Sequence, residues 1–127
     1  MNILSRITDR FSKVQPLPVG THHMQAAMDE KPYRLHLRLN KDGSGLLILN
    51  ASTVLQLNPT AAEYAFHFIK GTAPEEAANQ ISARYRVNKK IALDDFNNFA
   101  DQIHTLISTP DLDPASFLNF ERAQPHS

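Results

Sequence analysis

At 127 residues with 42% hydrophobic content, the chain has room for one compact domain plus extensions and enough apolar matter for a real core, which excludes wholesale disorder. It contains no cysteine, which excludes a disulfide framework, a thiolate zinc site, a cluster held by its own thiolates and a cysteine nucleophile. Formal net charge is zero, with seven Lys/Arg against four Asp/Glu in residues 1–60 and six against nine in 61–127, so no global field draws the chain to nucleic acid or anionic lipid.

Ile3, Leu4, Ile7, Phe11 and Val14 recur at helical spacing, with Arg6, Asp9, Arg10 and Lys13 between them, which predicts an N-terminal amphipathic helix. The segment lacks the unbroken apolar stretch of a signal peptide, and no run approaches a membrane span, so a cytoplasmic location is expected. The helix is read as packing on its own domain or on a partner protein; anchoring to a membrane surface is the weaker alternative. Gln15-Pro16-Leu17-Pro18-Val19-Gly20 reads as an extended linker. From Thr21 to Lys31 only a weak helical pattern is visible, stopped by Pro32.

Strand signals follow. Tyr33, Leu35, Leu37 and Leu39 alternate with Arg34, His36 and Arg38, putting leucines on a core face and cations toward solvent. The turn formers Asn40 to Gly45 reverse the chain into Leu46–Asn50, whose apolar positions ask for cover on both faces. The N-terminal helix is one source of that cover. A third run, Thr53–Leu57, aims Leu55 and Leu57 inward and Val54 and Gln56 outward. Three strands with tight connections make an antiparallel meander.

The pattern then changes to helix. Asn58-Pro59 supplies a cap and a proline at the first helical position, and Gly71 ends the helix. Within it only Glu63, His67 and Lys70 stay clearly polar, so it should be largely enclosed. Thr72-Ala73-Pro74-Glu75 reads as a capping box for a second helix, buried through Ala77, Ala78, Ile81 and Tyr85. Asn88 should cap a third, from about Lys89 to Ile107, with Ala92, Phe96, Phe99 and Ile103 on its apolar stripe. The expected fold is α+β and winged-helix-like: a three-stranded antiparallel sheet, then three helices, with the extra N-terminal amphipathic helix. Residues 1–20 form the helix and linker, 21–110 the domain, and 111–127 a tail with a docking segment at Phe117, Leu118 and Phe120.

Catalytic chemistry is missing from this pattern. The six histidines are read as lacking a close helical pairing with another His or a carboxylate that suits a metal, so no metal site and no cofactor are expected. Asp94 and Asp95 suit the start of a helix through its macrodipole. Asp42-Gly43-Ser44-Gly45 precedes a strand, where a phosphate loop would precede a helix. No local nucleophile motif is present, so no catalytic residue is assigned and the chain is not read as an enzyme.

The run Leu55-Gln56-Leu57-Asn58-Pro59-Thr60-Ala61-Ala62 resembles the PqqD-like family, in which a short strand enters an LN-x-T-A-A turn into the first helix. The resemblance continues through Gly71, Thr72, Glu75, Glu76 and Tyr85-Arg86-Val87 to Asp95, Phe99 and Ile103, covering about residues 33–107. The N-terminal helix, the linker and the long tail are additions to it. It implies a recognition element for ribosomally made, modified peptides: a precursor's leader adds as a strand to the free sheet edge, and a partner enzyme, often a radical-SAM iron–sulfur maturase, acts on the core segment. Carried over by position, the peptide-binding residues would be Thr53, Val54, Leu55 and Gln56 on the edge and Asp95, Phe99, Gln102 and Ile103 in the groove wall. Phe99 and Ile103 also lie on the core stripe, and packing is the stronger reading for both.

A winged-helix DNA-binding protein is the alternative, but its recognition helix should be basic, and the second and third helices carry Glu75, Glu76, Asp94, Asp95 and Asp101. A purely structural subunit is a third reading, compatible with the first. Neither nucleic acid nor membrane is expected as a partner, whereas an exposed strand edge can also pair with a second copy to give a homodimer.

Overall fold

The computed structural model describes residues 17–28 and 30–109. They form an α+β fold. Strands β1 (Gly20–Met28), β2 (Lys31–Leu39), β3 (Gly45–Leu49) and β4 (Thr53–Leu57) make one open antiparallel sheet in the order β1-β2-β3-β4. Helices α1 (Pro59–Lys70), α2 (Pro74–Tyr85) and α3 (Lys89–Ser108) follow. The expected helix over Ile3–Val14 and the tail 111–127 lie outside the described residues.

The sheet has four strands where three were expected, because Gly20–Met28 is a strand and not the weak helix its alanines suggest. Its side chains alternate: His22, Met24 and Ala26 are half-buried, while Thr21, His23, Gln25 and Ala27 are exposed. Pairing with β2 along all nine residues, from Gly20↔Leu39 to Met28↔Lys31, overrides the weak local preference. The hairpin carries no Asn-Gly signal; Glu30 takes the left-handed conformation instead, at φ 67°.

Elsewhere the strands follow the alternation. Tyr33, Leu35, Leu37 and Leu39 are buried while Arg34 and Arg38 are exposed, and Leu47, Leu49, Leu55 and Leu57 continue the same inner face. The β2–β3 turn is tied by Asp42, whose carboxylate accepts from the Ser44 amide (2.9 Å) and hydroxyl (2.6 Å). Those bonds hold its pKa below the usual range. Glycine is required at two places in this region. Gly43 sits at φ 92°, and a Cβ on Gly45 would lie 3.1 Å from the Ala62 Cβ, where α1 crosses the sheet.

Helix α1 is the layer that lies directly on the sheet, touching all four strands. The buried Ala61, Ala62 and Ala65 let it approach closely. Asn58 caps it, accepting from the Ala61 amide at 2.9 Å. Gly71 closes it at φ 69° with its own amide donating to Phe68 O and the Thr72 amide donating to His67 O, the pattern of a Schellman turn. Helix α3 packs on α2 and α1, bringing Phe96, Phe99 and Ile103 into the core. Its cap is Asn88, accepting from Lys90 N (2.7 Å) and Ile91 N (3.3 Å). The expected capping box of α2 does not form. Ala73 occupies the cap position without a side-chain bond, and the Thr72 hydroxyl is engaged by His67.

Candidate functional site

Strand β4 is an edge of the sheet, and alternation fixes what it offers. The Asn50 amide donates to Arg34 O (2.9 Å), and the Asn50 side chain accepts from Arg34 N (2.9 Å). Asn50 and its even-numbered predecessors on β3 therefore turn their main chain toward β2, and Gly45, Leu47 and Leu49 turn theirs toward β4. Through the pairs Leu47↔Leu55 and Leu49↔Thr53, the main chain of Thr53, Leu55 and Leu57 is committed to β3. The N–H and C=O of Val54 and Gln56 face outward, and no described strand pairs with them. Thr53 is half-buried, Leu55 is buried, Val54 is 55% exposed and Gln56 is exposed. A cleft of about 390 Å³ opens at the end of this edge, with Arg38, Asn40, Ser44, Gln56 and Asn58 in its wall.

The residues expected on the third helix divide. Asp95 is exposed and accepts a long hydrogen bond from the Tyr64 hydroxyl (3.4 Å). Partial burial raises its carboxyl pKa, the Tyr64 bond opposes that, and the charge of Asp94 adds to it. Gln102 is half-buried. Phe99 and Ile103 are 1% and 0% exposed, with the Phe99 ring against Tyr64 (5.9 Å) and Phe68 (6.4 Å), so both are core residues. Strand β4 reaches the helical layer mainly through α1, and α3 meets α1 and α2. Helix α1 therefore bridges the two halves of the expected site.

Sequence reasoning missed a buried polar cluster. Glu63 and His67 are 0% and 1% exposed, one turn apart on α1, and are joined from Glu63 Oε2 to His67 Nε2 at 3.0 Å. Arg84 of α2 donates through Nε to Glu63 Oε1 at 2.6 Å, and Thr72 Oγ1 lies 3.2 Å from His67 Nδ1. His67 does share a helical pairing with a carboxylate, one locked inside this buried cluster. The signal was the i,i+4 spacing of two polar residues in an otherwise apolar helix. Among the described residues no buried side-chain nitrogen or oxygen lacks a hydrogen-bond partner, and Glu63 and His67 are fully covered, so the cluster ties α1 to α2 and to the turn between them. Among the described residues no group of three His, Cys, Asp or Glu is placed to hold a metal. No helix among them is long and apolar enough to cross a membrane.

Three tyrosines are shifted as well. Burial raises the phenol pKa of Tyr33. Burial and then the charge of Asp95 raise that of Tyr64. Tyr85 is pushed up to about 12 by burial and the Glu63 charge, with Arg84 opposing. A phenol with a raised folded-state pKa adds stability that is complete below its unfolded pKa of about 10 and is lost as pH rises through the folded value. Urea unfolding should therefore show stability falling between about pH 10 and pH 12. Tyr85→Phe should flatten that decline; an identical pH slope in the variant would contradict the assignment.

No family model, curated protein or solved structure matches the chain.

Proposed function

We propose that this chain is a non-catalytic adaptor that captures the leader of a precursor peptide by strand addition to β4 and presents it to a modifying enzyme. The observation that carries the reading is the free β4 edge, with the outward peptide units of Val54 and Gln56 beside an exposed apolar side chain. An extended peptide gains main-chain hydrogen bonds there regardless of its sequence, and selectivity comes from side chains next to Val54, Gln56 and the adjoining cleft. The order of a meander followed by three helices fits the winged-helix-like arrangement that the PqqD-like resemblance implies. The same resemblance supplies the partner class, a radical-SAM maturase acting in the cytosol, with any iron–sulfur cluster belonging to that enzyme and no cofactor held here. Tethering raises the substrate concentration at the enzyme without chemistry by the adaptor.

DNA binding is the weaker reading. Helix α2 opens with Glu75 and Glu76, and the solvent side of α3 carries Asp94 and Asp101, where phosphate contact asks for cations.

Gln56→Pro tests the proposal. It deletes an outward N–H while leaving the β3–β4 pairing intact, and proline is tolerated on edge strands where the amide faces solvent. The ligands are leader segments of short precursor peptides, sought in the coding DNA on either side of this gene. Their affinity should fall roughly tenfold or more, in keeping with a lost hydrogen bond of about 1.5 kcal/mol, while thermal unfolding changes little. A stable variant with undiminished affinity would sink the strand-addition reading.

A further inference from the structure

The opposite edge of the sheet offers more main chain than β4. By the same alternation, Leu35 and Leu37 turn their main chain toward β1, where they meet Met24 and His22. The outward peptide units of β1 are therefore those of Thr21, His23, Gln25 and Ala27, and no described strand pairs with them. Proteins usually blunt such an edge with a charge, a proline, a bulge or short length. Gly20–Met28 contains no charged residue and no proline, its register with β2 is unbroken, and it runs for nine residues.

We propose that β1 is a homotypic interface, at which two copies of the chain pair their β1 strands antiparallel to make one continuous sheet. A second copy is the occupant because the strand is complementary to itself. Like charges opposite one another oppose homotypic pairing, and this strand has none. One register satisfies every outward group: Met24 faces Met24 of the second copy, which sets His23 against Gln25 and Thr21 against Ala27 on both sides. That arrangement forms about eight main-chain hydrogen bonds, and a shift of the symmetry axis by one residue leaves some outward groups unpaired. It also covers Met24, which is half-buried at the rim of the core. The β4 edges stay free at the two ends of the joined sheet, so the interface does not depend on peptide capture.

The absence of cysteine from the chain gives a direct test. In this register the two Met24 residues form a non-hydrogen-bonded pair with Cα atoms about 4.5 Å apart, within disulfide reach. The two Thr21 residues lie six positions apart along the strand, about 20 Å. Full-length Met24→Cys should become a disulfide-linked dimer under mild oxidation, and Thr21→Cys should not. Light scattering on the unmodified chain should give twice its 14.3 kDa mass. The double variant Thr21→Lys/Ala27→Lys sets lysine against lysine at exposed positions and should weaken the dimer at least tenfold while the monomer stays folded. A chain that is monomeric from micromolar to millimolar concentration would overturn the proposal. So would a dimer that survives the lysine pair, or one in which Met24→Cys does not crosslink.

Discussion

Glu63→Ala is expected to lower the unfolding free energy by about 3–5 kcal/mol, the range for breaking a buried ion pair by removing one partner. The size follows from what the substitution strands. His67 is 1% exposed and loses the acceptor at its Nε2, and the Arg84 guanidinium loses its only ion-pair partner among the described residues. An unpaired polar group costs its full desolvation, whereas the intact pair contributes little beyond that of a well-packed apolar substitute. Two consequences separate this account from a simple cavity effect. Glu63→Ala and His67→Ala should be strongly non-additive, because each removes the same hydrogen bond. Arg84→Met should cost less than Glu63→Ala, since Arg84 sits nearer the surface and its loss leaves His67 still bonded to Glu63. Equal and additive costs in urea unfolding would contradict the cluster's proposed unity.

Phe99→Ala should also cost about 3–5 kcal/mol, as large-to-small changes in a packed aromatic core do. The ring is 1% exposed and stands between Tyr64 and Phe68, so its removal opens a cavity where α1 and α3 meet. Gln102, half-buried on the same helix, should change stability by less than about 0.5 kcal/mol when cut to alanine. The contrast matters for function. If the third helix contributes to peptide binding, Asp95 and Gln102 can do so by direct contact, while Phe99 and Ile103 act by holding the helix in place. Comparable stability losses for Phe99→Ala and Gln102→Ala would remove that division.

How far these features are legible in the sequence depends on whether local pattern or distant pairing decides them. The leucines of β2 alternate with Arg34, His36 and Arg38, and those of β4 with Val54 and Gln56, and period two alone assigns them to the inner face. Asn58-Pro59, Gly71 and Asn88 are local end signals, and all three behave as their residue types dictate. Strand β1 is not legible, because His22, Met24 and Ala26 are a weak apolar set and only the partner strand makes them a face. The capping box fails for a related reason: the Thr72 hydroxyl has two suitors, and the one that engages it is a buried histidine five residues back. The partnership of Glu63 with Arg84 spans 21 residues and rests on how α2 docks on α1, which no local spacing announces. On the β4 edge, alternation supplies the outward side chains of Val54 and Gln56; which peptide groups face outward follows only from the register.

The most direct test of strand addition at β4 is amide hydrogen exchange on the full chain with and without a saturating leader peptide. The Val54 and Gln56 amides face outward in the free chain, and new protection at these two, with Thr53, Leu55 and Leu57 already held by β3, is the expected result. Protection confined to Thr21, His23, Gln25 and Ala27, or no change at either edge despite binding, would contradict it.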